Sequence, residues 1–141
     1  RMVNAVYLTK RLKETGFIDV MYEDPNITKN SYHLYVFKYK KERCRGIHRD
    51  LFIKALQAEG IGLCATGYSL PIYKMAFLDS DAFRKATGFS ASYKDVSLPN
   101  NEQAAYEEGA WLYHTALLGK KEDIDDIVDA MLKIYEHADE L

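Results

Sequence analysis

Cysteine is nearly absent from this chain: only Cys44 and Cys64 occur, with no Cys-x-x-Cys pair and no histidine cluster at ligand spacing. A zinc site is therefore not expected, and both read as free thiols. Charge of one sign is also lacking. The formal net charge is −2, so nothing in the overall balance attracts nucleic acid or an anionic membrane. One basic run, Lys38 to Arg49, lacks the interleaved aromatics of a strand-binding surface and reads as a solvated loop and helix start. No segment approaches the roughly twenty apolar residues of a membrane span, and no signal peptide opens the chain, so the expectation is a cytoplasmic protein. Nucleotide-binding P-loop and dinucleotide fingerprints are missing, as are HExxH and GxSxG. Without them a self-contained enzyme is hard to assemble, and no catalytic, cofactor-binding or metal-binding residue is assigned.

What is present suits one core. The 141 residues are enough for a single domain and too few for two comfortable ones. Residues 2–15 carry Ala5, Leu8 and Leu12 on one helical stripe, stopped by Gly16. Phe17 to Tyr22 reads as a strand and Glu23 to Asn30 as a loop. From Tyr32 to Tyr39 the residues alternate, with Tyr32, Leu34 and Val36 on one face and His33, Tyr35, Phe37 and Tyr39 on the other. Both faces are apolar, as in a strand covered on two sides, or by helices on one side and a partner domain on the other.

His48 to Glu59 has helical periodicity, closes with Gly60 and feeds a strand at Ile61 to Ala65. A short helix over Ala82 to Thr87, a weak extended piece at Asp95 to Leu98 and a helix from about Glu102 to Glu108 follow. The block WLYHTALLG, bounded by Gly109 and Gly119, reads as a buried strand. The stripe of Ile124, Ile127, Val128, Met131 and Ile134 makes residues 121–139 the clearest helix. Asp123, Asp125 and Asp126 sit where negative charge opposes the helix dipole; scattered around a helix, they do not gather as metal ligands. His33, His48, His114 and His137 are dispersed, and a lone histidine among apolar neighbours reads as packing.

The stretch Gly60 to Phe77, GIGLCATGYSLPIYKMAF, changes abruptly from strand to aromatic turn. Gly67 permits a sharp reversal, Pro71 stiffens the exit, and Tyr68 and Tyr73 offer apolar faces with hydroxyls for a polar ligand. Lys74 is placed to neutralise a phosphate or carboxylate. On the residues alone, the composition favours the plainer reading, a rigid surface connection whose tyrosines lid the core.

Taken together, YHLYVFKY, RDLFIKALQAEGIG, GYSLPIYKMAF and WLYHTALLG followed by an acidic-start helix resemble the C-terminal small domain of the DegT/DnrJ/StrS group of pyridoxal-phosphate aminotransferases, which act on nucleotide-linked keto-sugars and cyclitols. The resemblance runs nearly end to end, with residues 1–16 resembling the connector helix after the large domain. It implies an α/β (α+β) fold, a small mainly antiparallel sheet packed against helices, as in fold-type I enzymes. It also implies that the pyridoxal phosphate, its Schiff-base lysine and most phosphate contacts belong to an N-terminal large domain missing from this sequence, so the fragment alone is expected to bind no cofactor and not to transaminate. The chain, opening on Arg1 inside helical periodicity, reads as cut from something longer. By the resemblance Tyr68, Ser69, Pro71, Tyr73 and Lys74 contact a keto-sugar or cyclitol substrate. Many relatives have His-Tyr in this loop; Gly67-Tyr68 resembles a subgroup that includes cyclitol enzymes.

The parent is expected to be a homodimer, and removal of the large domain to expose apolar surface at Tyr35, Phe37 and the first helix. The competing function is a stand-alone, non-catalytic binding or regulatory module of the same fold.

Overall fold

Ala5, Leu8 and Leu12 are the fully buried residues of the first helix, α1 (Met2–Thr15), in a computed structural model that describes residues 1–141. Gly16 ends the helix in the left-handed region, at φ 81°, a conformation in which only a residue without Cβ is comfortable. The chain then turns into β1 (Ile18–Val20), and after the loop of residues 21–33 enters β2 (Leu34–Tyr39). Helix α2 (Arg49–Ala58) leads to β3 (Cys64–Ala65), then come α3 (Asp81–Thr87), α4 (Pro99–Gln103), β4 (Gly109–Tyr113) and α5 (Lys121–Glu136).

The strands form one antiparallel sheet in the order β1-β2-β4-β3. Its centre is the β2–β4 pair, in which Tyr35 faces Leu112 and Val36 faces Trp111. Because successive side chains leave a strand on opposite faces, Tyr35, Phe37 and Tyr39 of β2, Ala110 and Leu112 of β4 and Cys64 of β3 all turn to one side, where they are buried. Helices α1, α2 and α5 cover that side. Helix α5 supplies Ile124, Ile127, Val128, Met131 and Ile134 and α2 supplies Phe52, Ile53 and Leu56, all to one apolar cluster. Phe17 stacks on Tyr135 with ring centroids 5.0 Å apart, and Tyr39 packs on Phe52 at 4.7 Å while its hydroxyl donates to the Ile47 carbonyl at 2.9 Å. This is a small α+β architecture with helices on one face of the sheet.

Several boundaries move from the sequence expectations. The strand expected over Ile61 to Ala65 shortens to two residues, of which Cys64 enters the core while Leu63 just before it is exposed. Residues 95–98 form no strand. Pro99 starts α4 earlier than expected, because its fixed φ suits a first helical position. The helix then widens into a π turn, Ala104–Glu108. The apolar block after Gly109 is strand only to Tyr113; His114–Leu117 is a 3-10 turn.

The exposure expected at Tyr35 and Phe37 is corrected: they are 3% and 0% exposed beneath the helices. It is the opposite face, with Val36 exposed and Trp111 half-covered, that α1, α2 and α5 leave uncovered. On α1, Met2, Val3 and Val6 are exposed; Met2 and Val6 fit the exposure expected of the first helix, whereas Val3, whose helical spacing would have it widen the buried stripe, lies off it.

Candidate functional site

The sheet face away from α1, α2 and α5 is the floor of an apolar hollow of about 710 Å3. Leu34 and Val36 of β2 and Gly109 and Trp111 of β4 form that floor. One wall is the stretch from Thr66 to Tyr73, the other the end of α4 and the π turn, with Asn101, Ala104 and Ala105; Leu78 and Tyr93 close a third side. No lysine, arginine, histidine, cysteine or carboxylate lines it, so whatever enters meets aromatic and aliphatic surface with a few neutral polar groups.

The Thr66–Tyr73 wall owes its course to Gly67, at φ 80°, which lies against the Trp111 ring: a Cβ there would come within 3.2 Å of Trp111 Cζ3. The next residue, Tyr68, stands edge-on to the indole, with centroids 4.9 Å apart and planes at 68°, the favoured geometry for two quadrupolar rings. Trp111 Nε1 finds no acceptor in the protein, so the indole is positioned by packing alone. Pro71 is buried at the turn exit.

Beyond it, Glu102 of α4 anchors the chain. Its carboxylate accepts hydrogen bonds from the Tyr73 hydroxyl and, at 3.0 Å, from Lys74 Nζ, while the Leu98 N–H donates to Tyr73 Oη at 3.2 Å. The Tyr73 hydrogen bond, followed by that of Lys74, holds the Glu102 carboxyl below the usual range. Lys74 is raised chiefly by the same hydrogen bond, and Tyr73 by desolvation and then by Glu102.

The opposite wall is held from behind the sheet. Arg49, only 2% exposed, donates from Nη1 to the carbonyls of Ala105 at 2.8 Å and Gly109 at 3.1 Å. Widened π turns leave carbonyls without their usual helical donors, and the guanidinium supplies one. Glu108 is gripped by Lys40 and by Gln103 Nε2 at 2.8 Å, and Lys41 pairs with Glu107 at 2.9 Å. Much of the basic run Lys38 to Arg49 is therefore neutralised by carboxylates of the π turn. The third side is tied by Asp79, whose carboxylate accepts from Ser92 Oγ at 2.9 Å and pairs with Arg84 at 3.1 Å; the Ser92 hydrogen bond is the main reason its pKa is lowered.

Of the residues singled out from sequence, Tyr68, Pro71 and Tyr73 line the hollow, whereas Ser69 and Lys74 do not, Lys74 being directed to Glu102. His33 and His114 lie side by side, ring centroids 6.2 Å apart, outside it. Trp111, Asn101, Ala104, Ala105 and Tyr93 escaped the sequence reading. Only Trp111 carried a visible signal, because an indole in a strand whose neighbours alternate must emerge on one face or the other.

No protein-family profile matches the chain. Over its whole length it is similar to proteins named putative L-glutamine:3-amino-2,3-dideoxy-scyllo-inosose aminotransferase. It is 32% identical to that of Streptoalloteichus tenebrarius and 31% to that of Streptomyces kanamyceticus, each over 147 aligned residues. The protein of the same name from Micromonospora echinospora is 28% identical over 97% of the chain. The chain spans about a third of the length of these relatives, 34–35% in each case. No helix is long and apolar enough to cross a membrane.

Proposed function

We propose that this chain is the C-terminal small domain of a pyridoxal-phosphate-dependent aminotransferase of the DegT/DnrJ/StrS type, acting on a cyclitol ketone, and that the hollow on its open sheet face is one wall of the substrate site. The observation that carries this is end-to-end similarity to three proteins named as aminotransferases of an aminated, deoxygenated inosose, combined with coverage of only a third of each. A surface that the rest of such a protein completes must be open in this part alone, and the sheet face away from α1, α2 and α5 is open.

Within that role Tyr68, Pro71 and Tyr73 contact the acceptor directly, Ser69 at the exposed turn reaches it from the rim, and Lys74 acts through Glu102 by fixing the wall. The residues of the hollow do not fit the cofactor: no lysine is there to form a Schiff base and no carboxylate to face a pyridine nitrogen. The cofactor and the proton transfers at the reacting carbon therefore belong to the remainder of the parent, which pairs as a homodimer in the cytoplasm, and this chain binds and shapes.

The test has two arms. The purified chain is incubated with pyridoxal phosphate, reduced with borohydride and mapped by mass spectrometry; no single lysine is expected to be trapped. The same chain joined to the missing two thirds of the Streptoalloteichus relative is expected to aminate 3-amino-2,3-dideoxy-scyllo-inosose with L-glutamine as donor. Stoichiometric labelling of one lysine in the isolated chain, or a joined protein that folds and holds cofactor but aminates no cyclitol, overturns the proposal.

A further inference from the structure

An apolar hollow is at first sight the wrong receptor for a polyol, and the resolution lies in ring stereochemistry. In a scyllo-configured cyclitol every ring substituent is equatorial, so every ring hydrogen of a substituted carbon is axial. Both faces of the ring then present only C–H bonds, while the hydroxyls lie in the rim. A face of C–H bonds, weakly positive, is complementary to the negative face of an aromatic ring.

The hollow supplies such a partner in one place. Trp111 forms its floor, Tyr68 stands at 68° to it with centroids 4.9 Å apart, and together they make an aromatic corner open to the cavity. The polar side chains that line the hollow are the Asn101 amide and the hydroxyls of Thr66, Tyr68, Tyr73 and Tyr93; that of Tyr73 is already engaged by Glu102 and the Leu98 N–H, and the others can meet a hydroxylated rim. The volume of about 710 Å3 is within the usual span for a small-molecule site.

We infer that the Trp111–Tyr68 corner is a stacking platform for the axial C–H face of an all-equatorial cyclitol, and that it discriminates against stereoisomers carrying axial hydroxyls. This rests on the substrate-wall role proposed above and adds the basis of selectivity. An axial hydroxyl directed at the two ring faces would lose its hydration there against carbon, since the indole's one polar atom, the donor Trp111 Nε1, is covered and the lining holds no charge.

Trp111 is the sole tryptophan of the chain, so its emission reports on the site directly. The probes are scyllo-inositol and D-chiro-inositol, isomers that differ only in configuration; the latter carries an axial hydroxyl on each face. Titration of the 141-residue chain with scyllo-inositol is expected to change Trp111 emission saturably, and D-chiro-inositol at equal concentration to leave it unchanged. Tyr68→Phe is expected to keep the response, and Tyr68→Ala to raise the half-saturating concentration by about tenfold. Tyr68 is 78% exposed, so neither variant threatens the fold. Equal responses to both isomers overturn the stereochemical selection while leaving a polyol-facing wall intact. Absence of response to either isomer, or a Tyr68→Ala response equal to that of the parent sequence, overturns the stacking corner. The substrate-wall role is judged separately, by amination in the joined protein.

Discussion

Gly67 and Trp111 lie so close that a side chain at position 67 would crowd the indole: a Cβ there would lie 3.2 Å from Cζ3 and 3.4 Å from Cε3. The backbone there is also left-handed, at φ 80°. Gly67→Ala is therefore expected to lose about 1–2 kcal/mol from the backbone alone and to push the indole or lift the turn. Urea denaturation gives the stability change and the emission maximum of Trp111 the displacement. An unchanged maximum together with unchanged stability would show that the turn does not depend on this contact.

The Glu102 clamp predicts a local response to acid. Because the folded carboxyl is held below its ordinary value of 4.5, its contribution is fully present above that value and lost as the pH falls through the lowered folded value. The Leu98 amide, which donates to Tyr73 Oη, should exchange with solvent faster in Glu102→Gln than in the parent sequence at pH 7. In the parent sequence the same loss of protection should appear only in acid.

Arg49 is expected to dominate the stability of the far wall. Arg49→Met keeps the apolar stem but strands the Ala105 and Gly109 carbonyls, at a cost of about 2–3 kcal/mol. Arg49→Lys, with one point-like donor group, should recover part of it. Denaturation midpoints of the three proteins settle the order, and an Arg49→Met protein as stable as its parent would show that the guanidinium is dispensable.

Both thiols should be silent in the native state. Burial pushes Cys64 up to about 11 and raises Cys44 as well, and neither is more than 2% exposed. Labelling by a disulfide reagent at pH 8 is expected to be slow for both, and to become rapid for both together in urea. Since the raised thiol values favour the neutral form, this part of the stability is complete below pH 9.0 and lost as the pH rises from there through about 11 for Cys64.

Periodic elements were legible from the sequence because burial writes itself into spacing: α1, α2 and α5 occur where their stripes place them, and Gly16 stops α1. So was the turn at Gly67. The hollow was only half legible. Alternation in β2 separates Val36 from Phe37, yet which of the two faces the helices take depends on long-range packing, which places Tyr35 and Phe37 beneath them rather than on the side expected to be exposed. The third wall was illegible because Asp79, Ser92 and Tyr93 meet through polar contacts between non-periodic segments. Arg49 looked like one more cation of a basic run; that it is buried behind the π turn depends on carbonyls nearly sixty positions away, a distance no local pattern encodes.

The sheet ends in a strand of three residues at β1 and one of two at β3. Each leaves room for at most a couple of ladder hydrogen bonds to an incoming strand, too few to hold it against the loss of its freedom. A domain that keeps one apolar face open is thus guarded against growing sideways into fibrils: molecules of it can meet face to face, but they have no rail along which to polymerise.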